Sequence, residues 1–394
     1  MILYFCSKII EENLTSDFRN SDYYYPVIYP NFSFDFPSKK EVLFHTIKSY
    51  SHLNFSKVIF HVEFDNESEN AELEFANLVY SIWPKEITEI KFQRASTLDS
   101  WRNEVLILKN KYPLNEPVLV AMNHDHVFVD HNPKVLFEIA EKVFEKGKSN
   151  FRKALYYSHA PEVIKWSIFG RGNRKFNQLP NGIFHCKFES NWIDSIVILT
   201  FQTLHEIWET IVFSGNYIGR FDWVNVKFKG LALELYSFPR EFFRHFDGYN
   251  HTTGVRFTEP LSLNSNLPFE FPSNRNIDEI VSFYYQLWLA NYLQFVESYL
   301  ENNSFSLKAQ KTILIEAIQK SMELFNSAYL DMDVKYGLLP NEQKNQVQIG
   351  LHNLIYYNAN SIYRELKTDI QLKSNWLKSP LYRLKSLIYN LFNK

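Results

Sequence analysis

The chain has 394 residues, 45% hydrophobic and 22% charged, enough apolar material for a substantial core and for roughly two to three domain-sized units. Lys and Arg total 42 against 44 Asp and Glu, so a net charge of −2 gives no global electrostatic reason to bind nucleic acid. The two cysteines, Cys6 and Cys186, are too few for a disulfide scaffold and have neither zinc-site nor redox-motif spacing, which points to a reducing compartment such as the cytoplasm.

The first element is Met1–Ile10, rich in β-branched and aromatic residues and without a basic region ahead of its apolar part, so it reads as a strand and not as a signal peptide. Ser21–Ser38 is rich in Tyr, Pro and Phe without a period and reads as an ordered loop. Lys40–Ser51 has helical spacing, and Lys57–Phe64 is a strand that ends at Asp65. Ser68–Trp83 is a helix with Ser68 as N-cap and Pro84 as its stop. Ile87–Phe92 follows as a strand, Leu98–Lys111 as a helix stopped by Pro113, and Pro117–Met122 as an almost wholly apolar strand. Lys134–Lys146 is helical and Lys153–Tyr157 a further strand. This alternation predicts β-α-β units on a mostly parallel sheet.

From Ser158 to Pro272 the pattern is mixed. An apolar helix is expected near Asp194–Phe213, and the region is expected to cap one edge of the sheet. Beyond Asn276, apolar residues recur at three and four in Ile277–Tyr299, Leu307–Phe325 and Gln346–Leu366, which predicts a helical C-terminal domain. Expected boundaries are 1–160 and 161–272, as two halves of one catalytic domain, and 273–394. No run reaches the ~18 apolar residues of a membrane-spanning helix.

Ligands of open α/β sheets bind beyond the carboxyl ends of the strands. After the apolar strand comes Asn123-His124-Asp125-His126-Val127-Phe128-Val129-Asp130. A carboxylate flanked by Asn and imidazoles can hold a divalent cation against a diphosphate, since such ions take O and N donors. The plainer alternative is a turn-capping aspartate beside surface histidines. Asp331-Met332-Asp333 follows a helical run, not a buried strand, and reads as a helix-end acidic pair.

In the preceding helix, Ser100-Trp101-Arg102-Asn103-Glu104-Val105 resembles the Ala-Arg-Asn-x-Gly-Ile helix of GT-A nucleotide-sugar glycosyltransferases, in particular family-2-like members, and Asn123-His124-Asp125 stands where that family has Asp-x-Asp. Glu104-Val105 lacks the family's glycine, and Asn123 replaces its first aspartate. The segment Lys229–Tyr249 resembles the family's strand, Arg-Arg-x-x-Phe turn and Gly-Gly-Phe-Asp-Glu stretch, so the likeness extends over roughly residues 1–249. It implies a GT-A-like, Rossmann-type α/β fold with a mostly parallel sheet. It also implies sugar transfer from a nucleotide-sugar donor to a growing bacterial surface glycan such as an O-antigen, capsule or lipooligosaccharide.

The same resemblance implies donor binding by Asp65, Arg94, Arg102, Asn123 and Asp125, and a divalent metal, Mg or Mn, at Asp125, His126 and His251, with His245 and His159 as further candidates. A general base is expected among Asp247, Asp222 and Glu259, with Asp247 first because His245-Phe-Asp-Gly-Tyr-Asn-His251 is too polar for ordinary core. A nucleotidyltransferase is disfavoured because Met1–Asn20 contains no glycine for a phosphate loop. A non-catalytic sugar-nucleotide-binding or glycan-assembly scaffold is the alternative that Asn123 favours. From Leu372 to Lys394 the chain is basic, with Leu381, Leu384, Leu387, Ile388 and Leu391 at helical spacing, which suggests either docking on the inner-membrane surface or packing on the helical domain.

Overall fold

The computed structural model describes residues 1–9, 39–64, 69–93, 103, 105–108, 110–121, 126–145, 152–159, 177–179, 183–188, 196–212, 227–228, 233–245, 270–272, 276–303 and 310–377. Two compact units emerge, one of Met1–Tyr249 with Glu259–Glu270 and the other of Phe271–Lys394 with Asn250–Thr258.

The first unit is α/β. Its strands β1 (Ile2–Ile9), β2 (Lys57–Phe64), β3 (Thr88–Phe92) and β4 (Pro117–Ala121) lie in the order β3-β2-β1-β4 and are mutually parallel. Residues 58–64 of β2 are all buried, as expected of a parallel strand covered on both faces. Helices α1 (Lys39–Ser49) and α2 (Glu69–Ile82) follow β1 and β2. One face of the sheet is aromatic: Phe60 meets Phe75 at 5.3 Å, Phe5 at 5.6 Å and Trp83 at 5.8 Å between ring centroids. The register Tyr4↔Ile59 and Cys6↔His61 puts a polar row on the other face, where the Tyr4 hydroxyl and His61 Nδ1 are 3.0 Å apart. Burial pushes the Cys6 thiol well up, against a smaller opposing effect of Tyr4.

Past β4 come β5 (His126–Phe128), α3 (Pro133–Phe144) and β6 (Arg152–His159). Proline opens α3, and Val135, Leu136, Ile139, Ala140 and Val143 form its buried stripe.

The expected helix at 194–213 is a correction. Residues 196–200 are instead a strand, β9, and only Phe201–Thr210 is helical (α4). Ile196-Val-Ile-Leu-Thr200 is a β-branched run buried between β4 and β6 and antiparallel to both. Thr200 ends it and caps α4, its Oγ1 accepting the Thr203 amide at 3.2 Å. The region 158–272 therefore does more than cap an edge. Together with β7 (Asn177–Gln178), β8 (Phe184–Phe188) and β12 (Leu233–Phe238) it completes a nine-stranded sheet of described strands, ordered β3-β2-β1-β4-β9-β6-β12-β8-β7. Between α4 and β12, β10 (Ile211–Val212) and β11 (Lys227–Phe228) form a separate antiparallel pair.

The second unit is helical: α5 (Ile277–Asn303), α6 (Gln310–Phe325), a π-turn at Asn326–Leu330, α7 (Asp331–Lys335) and α8 (Asn341–Leu377). Its core includes Tyr292 against Phe325 at 5.5 Å and Phe325 stacked on Tyr329 at 4.8 Å. Asp333 is fully buried and accepts the Tyr284 hydroxyl at 3.0 Å, while Asp331 pairs with Lys344, so this Asp-x-Asp is structural. Among the described residues no helix is long and apolar enough to cross a membrane. Of the basic Leu372–Lys394 segment, 372–377 end α8, and residues 378–394 lie outside the described residues.

Candidate functional site

After β1 the chain moves through α1 to β2 on one side, and after β3 it crosses back to β4 on the other. The order β3-β2-β1-β4 thus places a topological switch point between the carboxyl ends of β1 and β4, where open α/β sheets bind ligands.

Just beyond β4, β5 leaves the main sheet and pairs antiparallel with β13 (Phe243–His245), with Phe128 opposite Phe243, Val127 opposite Arg244 and His126 opposite His245. The chain reaches β13 by way of β12, which leaves the sheet through a bulge: Ser237 pairs with Tyr156, but Phe238 pairs with His159. Two bonds to the first β-α unit anchor the ribbon. The Tyr50 hydroxyl donates to the His126 carbonyl at 2.9 Å, and the Phe128 amide donates to Ser49 Oγ at 2.9 Å. Apolar contacts accompany them, with the Phe243 ring 5.9 Å from Tyr50 and 5.7 Å from Phe128.

Next to the ribbon in the chain lies a buried ion pair. Arg240 donates from Nε to Asp130 Oδ2 at 2.6 Å and from Nη2 to Asp130 Oδ1 at 2.8 Å, while Asp130 Oδ1 also accepts the Asn132 amide at 2.6 Å. Arg240 is 0% exposed and Asp130 3%. Residues 126–130 and 240–245 are therefore joined by backbone pairing and by a bidentate salt bridge.

Of the predicted site residues, His126, His159 and His245 lie in the described structure: His159 ends β6, where it pairs with Phe238, and His245 ends β13 opposite His126. His126 is the first residue of β5 and is 1% exposed, and its carbonyl is the Tyr50 acceptor. Asp65, Arg94, Arg102, Asn123, Asp125, Asp222, Asp247, His251 and Glu259 lie outside the described residues. Their chain neighbours are informative nonetheless. Asp65 follows Phe64, the last residue of β2, and Arg94 follows Gln93, whose amide donates to the Val62 carbonyl at 3.0 Å. Asp125 immediately precedes His126, and Asp247 is two residues past His245, the partner of His126. Among the described residues there is no group of three or more His, Cys, Asp or Glu side chains able to hold a metal ion.

The sequence assigned no role to Asp130, Arg240, His61 or Glu63. His61 and Glu63 are 1% and 3% exposed at alternate positions of β2, and two polar residues two apart in an apolar strand were the signal for a polar sheet face.

No family model and no curated protein matches the chain. Among solved structures it is similar to the mannosyltransferase PcManGT from Pyrobaculum calidifontis in complex with GDP-Man and Mn2+, at 9% identity and a TM-score of 0.32, covering 100% of this chain and 87% of that one. It is also similar to TarS 1–349 from S. aureus, at 10% identity and a TM-score of 0.34, covering 95% and 92% of the two chains.

Proposed function

We propose that the chain is a glycosyltransferase that moves a sugar from a nucleotide-sugar donor to a growing bacterial surface glycan such as an O-antigen, capsule or lipooligosaccharide. One observation carries this reading: residues 126–128, which directly follow the Asn123-His124-Asp125 motif, pair with 243–245 of the Lys229–Tyr249 segment, far away in sequence, in a chain whose strand order has a switch point between β1 and β4. Asp65, Arg94 and Arg102 bind the nucleotide in this reading, with Asn123 and Asp125 at the diphosphate. Asp247 takes the proton of the acceptor hydroxyl as the sugar carbon develops positive character; Asp222 and Glu259 are its competitors.

Asp125, His126 and His251, one carboxylate and two imidazoles, have donor chemistry that suits a divalent ion such as Mg2+ or Mn2+. Such an ion, when bound, neutralises the charge of the leaving diphosphate. In the same reading the 1–160 half binds the donor, the 161–272 half faces the acceptor, and the basic 372–394 segment docks on an anionic membrane surface that presents lipid-linked acceptor. Co-sedimentation of the full chain with anionic vesicles, lost in a chain ending at Ser379, tests that docking.

A thermal-shift screen against nucleotide sugars tests the function, because a ligand of the folded state raises the melting temperature by mass action. Asn123 in place of an aspartate favours a second reading, a non-catalytic sugar-nucleotide-binding scaffold. Release of nucleoside diphosphate from a stabilising nucleotide sugar, with and without Mn2+, separates the two.

A further inference from the structure

We propose that Asp130 and Arg240 are positioning residues: their ion pair sets the register of the β5–β13 ribbon and, with it, the alignment of the segments that lead to Asp125 and Asp247. The catalytic part of this proposal rests on the functional reading above; the part concerning register does not.

The ribbon is short, three residues facing three, so its backbone pairing supplies few bonds to hold one register. β5 is held against α1 by the Tyr50 and Ser49 bonds. The connection to the other arm is made by Arg240, three residues ahead of β13, and Asp130, two residues past β5. Next to the pair, the Val129 amide donates to the Phe242 carbonyl at 2.9 Å and extends the ribbon by one further bond.

The fork contacts both carboxylate oxygens and so fixes translation and rotation together. A slip of one residue moves a strand by ~3.4 Å and reverses its faces. It would break both bonds to Asp130, in a buried setting where the guanidinium lies 5.9 Å from the Phe242 ring and its Nη2 3.4 and 3.5 Å from the His131 ring nitrogens. Buried ion pairs contribute little stability relative to well-packed apolar residues of similar volume, and their best-attested use is to fix one register among several. A buried, bidentate pair spanning 110 positions and bracketing a three-residue ribbon is placed for that use.

The test compares the full-length wild type with Arg240→Lys, which keeps the charge but loses the fork, and with the apolar pair Asp130→Leu/Arg240→Met. Hydrogen exchange is read at the Val129 amide, which donates to Phe242 across the ribbon, and at β1 and β4. Turnover is read as kcat and donor KM on the nucleotide sugar that most stabilises the wild type. Both variants are expected to keep wild-type protection in β1 and β4 while Val129 exchanges at least tenfold faster, and kcat should fall at least tenfold with donor KM within twofold. Unchanged ribbon protection in folded variants overturns the proposal. So does loss of protection throughout the apolar double variant, which would make the pair a general support of the fold. If the wild type turns over no nucleotide sugar, the functional reading fails, and the exchange data still decide whether the pair sets the register.

Discussion

Tyr50, at the end of the first β-α unit, donates its hydroxyl to the backbone carbonyl of His126, 76 positions further along the chain, at 2.9 Å. That bond ties the element after β1 to the ribbon after β4, the two sides of the switch point. Tyr50→Phe should keep the ring contacts to Phe5 and Phe243 and lose the bond, destabilising the chain by about 1 to 2 kcal/mol because the donor was buried. Urea unfolding, with amide exchange across 126–128 as the local readout, checks both magnitude and place.

If Asp247 is the base, Asp247→Asn keeps the shape and removes the proton acceptor. Donor binding should persist while kcat falls by ~10² to 10⁴. The matched variants Asp222→Asn and Glu259→Gln should retain most of their turnover. The opposite ranking in steady-state kinetics would move the base to one of those residues.

Glu89 supplies a pH-dependent contribution in the first unit. Burial raises its pKa, but the hydrogen bond and charge of Lys111, 2.5 Å away, together with the Tyr112 hydroxyl and the charge of His61, outweigh this and hold it below the ordinary value. A carboxyl lowered in the folded state stabilises above its unfolded pKa, and the contribution disappears as pH falls through the folded one. Because Lys111 is half exposed, the effect is screened to at most ~1 kcal/mol. Glu89→Gln should therefore lower the melting temperature slightly at pH 7, with the gap from wild type closing as pH drops below ~4.

Two glycines of the helical unit should respond for different reasons. Gly337 has φ +72° after α7, where its amide donates to the Val334 carbonyl at 3.0 Å and the Leu338 amide to the Asp333 carbonyl at 2.9 Å, closing the helix with a left-handed cap. A Cβ there would meet nothing within 4 Å, so Gly337→Ala should be destabilising by about 1 kcal/mol from backbone strain alone. At Gly350 a Cβ would stand 2.7 Å from Val281 Cγ2, on a β-branched side chain that is stiff in a helix. Overpacking of about 1 to 3 kcal/mol should exceed the ~1 kcal/mol gain in helix propensity. A double-mutant cycle checks the cause, because Gly350→Ala should become stabilising in a Val281→Ala background.

Most of the first unit was legible because its strands are buried runs separated by helices with recognisable stops, as in Lys57–Phe64 followed by the helix that ends before Pro84. β9 was not. Its apolar run passes into α4 with no Gly or Pro between them, so strand and helix merge into one apolar stretch, and only the Thr200 cap marks the junction. The Asp130–Arg240 pair had no local signal, since its meaning depends on two residues brought together by the crossing of β12. His126 was legible as a polar residue beyond a buried strand, but its burial beneath Tyr50 follows from long-range packing.

The central claim is tested most directly by nucleoside diphosphate release from nucleotide sugars, measured with Mn2+ or Mg2+ for the full-length wild type and for Asp125→Ala. The expected result is turnover of one donor by the wild type and near-complete loss in a variant whose melting temperature is unchanged. Near-normal turnover by folded Asp125→Ala, or no binding and no turnover of any nucleotide sugar by the wild type, would contradict it.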